Sequence, residues 1–583
     1  MQKFAVAIIA SILIVSNLTA AELSAQNLDK RRKAMQDLLR EQWEYTLRTQ
    51  PEFASILGDK RYNDQAGDYS EAAIRKDAEE NRRFLRRFEA IGTTGFSEQE
   101  TLDKVLMLHM LRENIENFEL KEWEMPVTQI SGIHLFAAQF PSLLTFTSAK
   151  DYDDYVKRMR AFPKQMDDTS AAMRKGMKDR LMPPKFLLEK VATQAAGIAA
   201  EEPQNTPFAQ PLASMPASLP EAERTRIRGE FLAAIRDSVL PAYRKFAAFV
   251  KDDYAPHGRT EVGMWALPDG AHRYAVRVRQ STTTNLTAEQ IHEIGVREVA
   301  RIEGELLQVA KRLGYNDLKA VQKAADENPN LRAKSREQIL DLYRHYIDQM
   351  YAKLPQLFGR MPRAKVEVVA TEAFREKEAP GAEYQPGAPD GSRPGRVEVN
   401  TSEPQSRKTI TMESTAYHEG VPGHHMQIAI AQELTGIPEF RKNLLNFTAY
   451  VEGWALYSER LGKEVGFYQD PWNDYGRLQD EMLRAIRLVV DTGLHAKKWT
   501  REQVVQYFHD HSAQDEIEIQ NETDRYIVWP GQALGYKIGQ LKILELREKQ
   551  KQKLGDKFDI RAFHDEVLGA GPLPMDVLEQ RFQ

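Results

Sequence analysis

Cysteine is absent from all 583 residues of the chain. Without it the protein has no disulfide bond, no thiol nucleophile, no cysteine-ligated zinc site and no cysteine to carry the lipid of a bacterial lipoprotein. Export without disulfides is still physically reasonable, because a large chain buries enough apolar surface to be stable by itself. The absence of cysteine therefore excludes several kinds of site, but it does not exclude export of the protein.

A strong charge of one sign is also lacking. The chain has 80 basic and 85 acidic residues, a net charge of −5, and both signs are mixed along the sequence. A nucleic-acid-binding protein would instead show a basic stripe and a high pI. We therefore predict no nucleic-acid partner. Hydrophobic residues make up 42% of the chain, which is ample for one large helical enzyme or for two to four domains.

The apolar run near the start of the sequence is too short to span a membrane. It extends over Phe4–Val15, about half of the ~20 residues that a spanning helix needs. Lys3 precedes it, and small residues follow at Thr19–Ala21 and Ser24–Ala25, as in a secretory signal peptide. We predict that residues 1–25 are removed on export to the periplasm or the medium, which leaves no stable membrane insertion. A retained N-terminal anchor is the alternative.

Strand patterns are scarce. Alternating residues predict short strands at Lys365–Ala370 and Arg396–Asn400, with Lys408–Met412 as a candidate third strand. A turn-dense loop, Tyr384–Gly395, lies between the first two. Most of the remaining sequence has apolar residues at three- and four-residue spacing. We predict a mainly α fold with one small β-sheet (365–412) just before the motif that carries the chemistry.

Two helical regions are expected after the signal peptide. The N-terminal one covers 26–285, and its five prolines at 203–220 predict a long surface loop. The C-terminal one covers 286–583, begins with a helix capped by Thr287, and contains the sheet and the candidate catalytic residues.

The densest chemical motif is Tyr417–Gln427, with the sequence YHEGVPGHHMQ. In the zinc motif HExxH, two histidines four residues apart place both rings on one helix face, and the glutamate reaches the water on the metal. This chain has Pro422 at that partner position. His418 is instead followed by His424 (424 − 418 = 6) and His425 (425 − 418 = 7). In an ideal helix, residues six apart point to different faces.

The two glycines and the proline between these histidines disfavour an ideal helix, since proline removes a hydrogen bond and glycine tolerates unusual dihedral angles. A bulge that absorbs two residues would return His424 to the face of His418, so we predict these two as metal ligands. His425 is the alternative, but a straight helix places it about 10 Å along the axis from His418. Glu419 is the predicted general base.

A catalytic zinc needs a third protein ligand and one open position. Glu452 lies in the otherwise apolar and aromatic segment Asn446–Leu461, NFTAYVEGWALYSERL. A buried carboxylate is costly unless it is paired or binds a metal, so Glu452 is the predicted third ligand. Glu459 lies seven residues further on the same helix face and is the alternative ligand or a support for one. A core carboxylate paired with an arginine is the structural alternative for Glu452.

Polar residues in three other segments are suited to a substrate. Asp491 and His495 stand one helical turn apart, and we predict His495 or Tyr536 as the group that stabilises the tetrahedral oxyanion. Arg525 is predicted to bind a substrate carboxylate through two hydrogen bonds. The loop and strand that end at Asn400 are predicted to lie along the substrate and offer it hydrogen bonds. A structural role in the core is the alternative for each.

At these residues the chain resembles a bacterial family, the domain of unknown function 885. The matching pieces are PDGSRPGRVEVNT (389–401), HEGVPGHHMQ (418–427), VEGWALYSE (451–459), DTGLHAKKWT (491–500) and PGQALGYKIG (530–539). The family looks related to the gluzincin peptidases, in which two histidines and a distant glutamate hold zinc. The resemblance implies a two-lobed helical clamshell like those of angiotensin-converting enzyme and thimet oligopeptidase.

Three functions agree with these observations. The first is a metallopeptidase with Zn²⁺ as cofactor, which cleaves short peptides by zinc-activated water with Glu419 as general base. The second keeps the metal and hydrolyses an amide or ester of a non-peptide substrate. The third is a non-catalytic periplasmic binding protein that kept the fold, and the intact Glu419 argues against it. Which bond is cleaved, and where, is not encoded in any motif.

Overall fold

The computed structural model describes residues 2–371, 376, 379–387 and 394–583, with side chains from Gln26 onward. The side chains of residues 1–25, on which the signal-peptide prediction rests, and the loop residues 388–393 lie outside this description. The fold is mainly α with one small sheet, as predicted. Among the described residues, no helix combines the length and the apolar character that crossing a membrane requires.

The chain divides into two compact units. Unit 1 comprises Met1–Thr260 and Ile437–Arg441, and unit 2 comprises Glu261–Gly436 and Lys442–Gln583.

Unit 1 is an all-helical body with an aromatic core. Its helices are α1 (Gln2–Thr49), α2 (Pro51–Ile56), α3 (Glu71–Glu89), α4 (Glu98–Glu119), α5 (Ile133–Gln139), α6 (Ala149–Asp179), α7 (Lys185–Ala200), α8 (Glu221–Ala234) and α9 (Leu240–Ala248). Phe162 of α6, Tyr243 of α9 and Phe208 pack together at its centre, all at most 4% exposed. Phe208 belongs to the proline-rich segment 203–220, which forms short 3₁₀ turns and contributes to the core. The prediction of a surface loop in this segment was wrong.

Unit 2 holds the remaining helices. They are α10 (Gly270–Thr282), α11 (Ala288–Arg312), α12 (Leu318–Glu327), α13 (Arg336–Tyr351), α14 (Leu354–Leu357), α15 (Met412–Glu419), α16 (His424–Gln432), α17 (Glu439–Asn443, which begins in the unit 1 segment), α18 (Thr448–Glu464), α19 (Pro471–His495), α20 (Arg501–His511), α21 (Glu516–Val528), α22 (Leu534–Leu554), α23 (Ile560–Leu568) and α24 (Met575–Gln580). Thr287 caps α11 as predicted, in a capping box with Gln290.

Close packing of α18 against α22 depends on glycine. A Cβ atom added at Gly539 would lie 1.8 Å from the carbonyl oxygen of Ala449, and one at Gly453 would lie 2.5 Å from the backbone of Gly539. The two helix backbones therefore approach more closely than any larger residue permits. This contact fixes α18, which carries Glu452, against α22, which carries Tyr536.

The sheet has three strands, β1 (Val366–Ala370), β2 (Ala382–Gln385) and β3 (Gly395–Val399), in the order β1-β3-β2. The central strand β3 is parallel to β1 and antiparallel to β2. The two strands predicted at 365–370 and 396–400 are confirmed. The third, predicted at Lys408–Met412, was wrong, because Lys408 forms an isolated bridge to Arg332 and Met412 already begins α15.

Candidate metal centre

A sharp turn between α15 and α16 brings two histidines together. His418 is in the last turn of α15, His424 is the first residue of α16, and residues 420–423 form the connection. A Cβ atom at Gly423 would lie only 1.9 Å from the carbonyl oxygen of His418, so the fold-back requires glycine at this position. The helix breaks instead of bulging, but the result is the predicted one, with the two rings 4.8 Å apart between centroids.

Helix α18 supplies the third group of the cluster and also holds the turn. Glu452 Oε2 lies 3.6 Å from His418 Nε2 and 3.5 Å from His424 Nε2. Two residues later, the indole Nε1 of Trp454 donates a hydrogen bond of 2.8 Å to the carbonyl oxygen of Pro422. The turn that carries the histidines is thus tied to the helix that carries the glutamate.

The donor atoms of these three residues are spaced as a small cation requires. One donor atom of each lies within 4.8 Å of the others. Ligands about 2.0–2.1 Å from a tetrahedral zinc lie about 3.3 Å from one another, close to the observed N···O distances. Within the described ranges, no other three His, Asp or Glu residues converge in this way. His418, His424 and Glu452 can therefore hold a metal ion and leave a position open for a reactant.

A buried carboxylate group contacts His418 at the ring nitrogen that faces away from Glu452. His418 Nδ1 lies 2.8 Å from Glu459 Oε1, and Glu459 is 2% exposed. Arg484 of α19 places Nη2 3.6 Å from the same carboxylate oxygen. A histidine whose other nitrogen is hydrogen-bonded to a carboxylate is fixed in orientation and is a better metal ligand. Glu459 thus occupies a supporting position, whereas Glu452 faces both histidines.

The electrostatics of the cluster favour positive charge where the donors meet. Burial alone would lower the pKa of His418, but the carboxylates of Glu452, Glu459 and Glu419 outweigh it and raise the pKa to about 10. Burial alone would raise the pKa of Glu452, but His424 and His418 hold it well below its usual range. Both shifts have the same origin, an excess of carboxylates around two imidazoles.

Glu419, the predicted general base, adjoins this cluster. Burial raises the pKa of its carboxyl group, and the neighbouring His418 and His424 act in the opposite direction. A carboxylate that is partly desolvated yet stabilised by nearby cations is suited to accepting and returning a proton.

His425 has a different role from its neighbour. It is fully buried, its Nδ1 lies 3.0 Å from the hydroxyl of Tyr384 in β2, and its Nε2 lies 3.2 Å from the carbonyl oxygen of Ala364, just before β1. The ring therefore ties α16 to the small sheet. It is not among the converging donor atoms, so the geometry favours His424 over His425 as the second ligand.

Asp491 and His495 hold the connection between α21 and α22. Asp491 accepts hydrogen bonds from the Gly531 amide (3.0 Å) and the Tyr274 hydroxyl (2.6 Å). His495 Nδ1 accepts from the Met264 amide at 3.0 Å, its Nε2 lies 2.9 Å from the Tyr526 carbonyl, and the residue is 1% exposed. Both ring nitrogens are used by backbone groups, so the catalytic role predicted for His495 is corrected to a structural one.

Of the three other residues predicted to contact the substrate, two are partly exposed and one is buried. Tyr536 and Arg525 are both partly exposed, and Arg525 Nη2 lies 3.4 Å from the Tyr536 hydroxyl. Asn400 is 2% exposed, donates through Nδ2 to the carbonyl oxygens of Glu376 and Ala379, and accepts from Ser402. Its amide group is used within its own loop, so the substrate role predicted for Asn400 is corrected to that of a loop brace.

Two residues of the site were not predicted. Arg484 stands three residues before Arg487 in the apolar run MLRAIRLVV, where buried cations need acidic partners. Two arginines in an apolar segment therefore indicate a buried cluster of charged residues. Trp454 gave no such signal, because an indole that anchors a turn looks like any other core aromatic in sequence.

The fold and the site define a mainly helical protein with a cluster of two histidines and one glutamate. The chain belongs to the family described as "Bacterial protein of unknown function (DUF885)", whose model matches residues 51–582. No curated protein matches the chain.

Two solved structures are similar to it. A "putative lipoprotein" from Colwellia psychrerythraea is 30% identical, with a TM-score of 0.89 over 95% of this chain and 98% of that chain. A "putative lipoprotein of unknown function" from Shewanella oneidensis is 18% identical, with a TM-score of 0.72 over 94% of this chain and 99% of that one. The second likeness concerns the fold alone.

Proposed function

We propose that this protein is a zinc-dependent metallopeptidase that cleaves short peptides. The observation that carries the proposal is the convergence of His418, His424 and Glu452, backed by Glu459 and with the carboxylate of Glu419 close by. Two histidines and one carboxylate are a ligand set of catalytic zinc. The two-lobed gluzincin clamshell implied by the sequence resemblance is part of the same proposal.

His418, His424 and Glu452 would hold zinc, which when bound would supply a Lewis acid for the substrate carbonyl group and for water. Side chains of the protein transfer the proton and orient the metal ligands. Glu419 accepts a proton from the attacking water and returns it to the leaving amine, which keeps the reaction balanced. Glu459 holds His418 in one orientation, and Arg484 holds Glu459.

Tyr536 is the proposed donor to the developing oxyanion. Its support is the setting of its ring, which the guanidinium carbon of Arg487 covers at 4.6 Å from the centroid. Arg525 Nη2 also lies 3.4 Å from its hydroxyl. A phenol oriented by packing can donate a hydrogen bond without reorganisation during the reaction.

A digest of a defined peptide mixture tests this function. The protein is stripped of metal, reloaded with one equivalent of zinc and incubated with the mixture, and the products are read by mass spectrometry. We expect cleavage by the reloaded protein and none by the stripped one. If the zinc-loaded protein cleaves no peptide but hydrolyses simple esters or non-peptide amides, the amidase or esterase function replaces this one. If it hydrolyses neither, the enzyme proposal is wrong.

We also propose that the protein is exported. Both solved relatives carry descriptions as lipoproteins, and the first 25 residues of this chain have the pattern of a cleaved signal. Intact mass of the protein from its native host is expected to show cleavage between about residues 20 and 25. A species that begins at Met1 would contradict this.

A further inference from the structure

We propose that Arg525 anchors a carboxylate subsite beside the metal centre, and that this subsite receives the free C-terminus of the substrate peptide. The inference rests on the proposed peptidase function and gives it a direction. Cleavage would occur close to the C-terminus, as in a carboxypeptidase, and not in the middle of a chain.

Arg525 has hydrogen-bond donors left over after its contacts within the protein are made. Its Nη1 donates to Glu522 at 3.0 Å, and its Nη2 donates to Gln532 at 2.7 Å and to the Tyr536 hydroxyl at 3.4 Å. A guanidinium group carries five N–H bonds. Nη1 uses only one of its two N–H bonds in these contacts, and the side chain is 22% exposed. The second N–H bond of Nη1 is therefore available to an anion.

The charges around Arg525 are not balanced by its nearest partners. Arg487 Nη2 donates to Glu522 at 2.9 Å, so two guanidinium groups share this one carboxylate. Arg487 is 6% exposed, and its Nη1 has no partner among the described residues. Buried positive charge is unfavourable unless it is compensated, and a bound carboxylate would compensate it.

One further carboxyl group lies near Arg487. It belongs to Glu518, whose side chain is exposed to solvent. Solvent screens its charge, so it compensates the excess positive charge of the two arginines only weakly.

A line of contacts connects this subsite to the metal centre. Arg484 stands one turn before Arg487 on α19 and lies 3.6 Å from Glu459, the carboxylate that orients His418. Tyr536 contacts the other two arginines, with Arg487 Cζ 4.6 Å from its ring centroid and Arg525 Nη2 3.4 Å from its hydroxyl. Since Arg484 and Arg487, three residues apart, share one face of α19, these contacts link the proposed subsite to the metal centre.

The surroundings of Arg525 favour a chain end over an acidic side chain. Glu522, Gln532 and Tyr536 contact the guanidinium group, and its Nε atom is buried. A peptide that continued past this point would have to replace these contacts. A terminal carboxylate ends there and needs no further space.

The test compares peptides that differ only at the C-terminus, one with a free carboxylate and one with a carboxamide. For the zinc-loaded wild type we expect kcat/KM for the amide to be about 10- to 100-fold lower, the range for a lost charge-assisted hydrogen bond. Arg525→Met should lower kcat/KM for the free acid by a similar factor and abolish the preference. Arg525→Lys, which keeps the charge, should retain part of it. Arg363→Met, at a position 87% exposed, is the matched control and should behave as wild type.

A binding measurement separates this inference from the proposed function. Calorimetric titration of metal-free protein with an acetylated dipeptide acid and its amide should show the same 10- to 100-fold preference, lost in Arg525→Met. Equal binding and equal cleavage of acid and amide would overturn the subsite even if the peptidase function holds. A preference in binding without any hydrolysis would overturn the peptidase function alone. An amide ending in glutamate that performs as well as the free acid would overturn the C-terminal assignment.

Discussion

In unit 2, the histidine–carboxylate cluster differs in its contacts from Asp491 and His495, which stand one helical turn apart on α19. In the cluster on α15, α16 and α18, the Nε2 atoms of His418 and His424 both point to the same oxygen of Glu452. On α19, both ring nitrogens of His495 are used by backbone groups, and Asp491 accepts from an amide and a hydroxyl. In the first arrangement two ring nitrogens face a shared carboxylate oxygen, whereas in the second both ring nitrogens of the histidine contact backbone groups.

The difference shows what makes a histidine available for chemistry. A side chain that contacts backbone amides and carbonyls fixes the chain, because those groups have no other partners in the interior. A histidine that faces carboxylate side chains is surrounded by negative charge, which a bound cation can compensate. The following variants break or sharpen this contrast, from the largest expected effect to the smallest.

Glu419→Gln should have the largest effect on turnover. The amide cannot accept a proton, so kcat should fall by about 10²–10⁴-fold, the usual contribution of a general base. Zinc content, measured by elemental analysis, should stay at one equivalent, because Glu419 is not among the converging donors. Glu367→Gln, at an exposed position of β1, serves as the control. Near-normal turnover in Glu419→Gln would exclude it as the base.

Glu459→Ala should weaken the metal centre without removing it. His418 would lose the carboxylate that fixes its orientation, and loss of such a support typically costs about 10–100-fold in metal affinity. Competition with a chromogenic chelator measures this affinity. Glu464→Ala, on the same helix but paired with Arg547, should leave it unchanged. Complete loss of zinc from Glu459→Ala would instead make Glu459 a direct ligand.

Asp491→Asn should change stability and its pH dependence but not the zinc content. Burial raises the pKa of Asp491 from 3.8 to about 7, against the hydrogen bonds from Tyr274 and Gly531. The folded state therefore holds a proton there that the unfolded state has released. The free energy of unfolding falls as pH rises through this window, by about 1.4 kcal/mol per pH unit.

The variant lacks this titration, so the stability of the wild type minus that of Asp491→Asn should fall by about 2–3 kcal/mol between pH 5 and pH 7. Urea unfolding at both pH values, on metal-free protein, measures this difference. A difference that does not change with pH would mean that Asp491 is already ionised at pH 5 in the folded protein.

The smallest effect is expected at the other member of the α19 pair. His495→Gln keeps a side-chain amide that can replace one of the two backbone contacts. The free energy of unfolding should fall by about 1–3 kcal/mol, the cost of leaving a buried backbone group unpaired. Zinc affinity should not change. Loss of zinc from this variant would mean that His495 also supports the metal centre, which contradicts the structural role given to it here.

Regular patterns in the sequence predicted much of the fold. The cap at Thr287 and the strands near residues 366 and 396 follow from local preferences, and all three are present. Strand β2 was missed because its four residues lie at the edge of a turn-rich loop, where no alternation is visible. The segment at Phe208 was misread because proline density predicts a break in helix but not burial.

Within the site, the chemistry of the side chains was predictable and their orientation was not. The charge of Glu452 in an apolar segment indicated a special partner, and it faces both histidines. Nothing in the sequence of His495 or Asn400 distinguishes a catalytic group from a brace, because the difference lies in distant backbone partners. Met264, for example, is far from His495 in sequence yet contacts its ring.

The zinc content of two neighbouring single variants tests the central claim most directly. His424 faces Glu452, whereas His425 is buried against Tyr384 and Ala364. After dialysis at equal free zinc, elemental analysis should find one equivalent in the wild type and in His425→Ala, and close to none in His424→Ala. Circular dichroism confirms that each variant is folded. An empty His425→Ala together with a zinc-loaded, folded His424→Ala would contradict the assignment of His418, His424 and Glu452 as the metal centre.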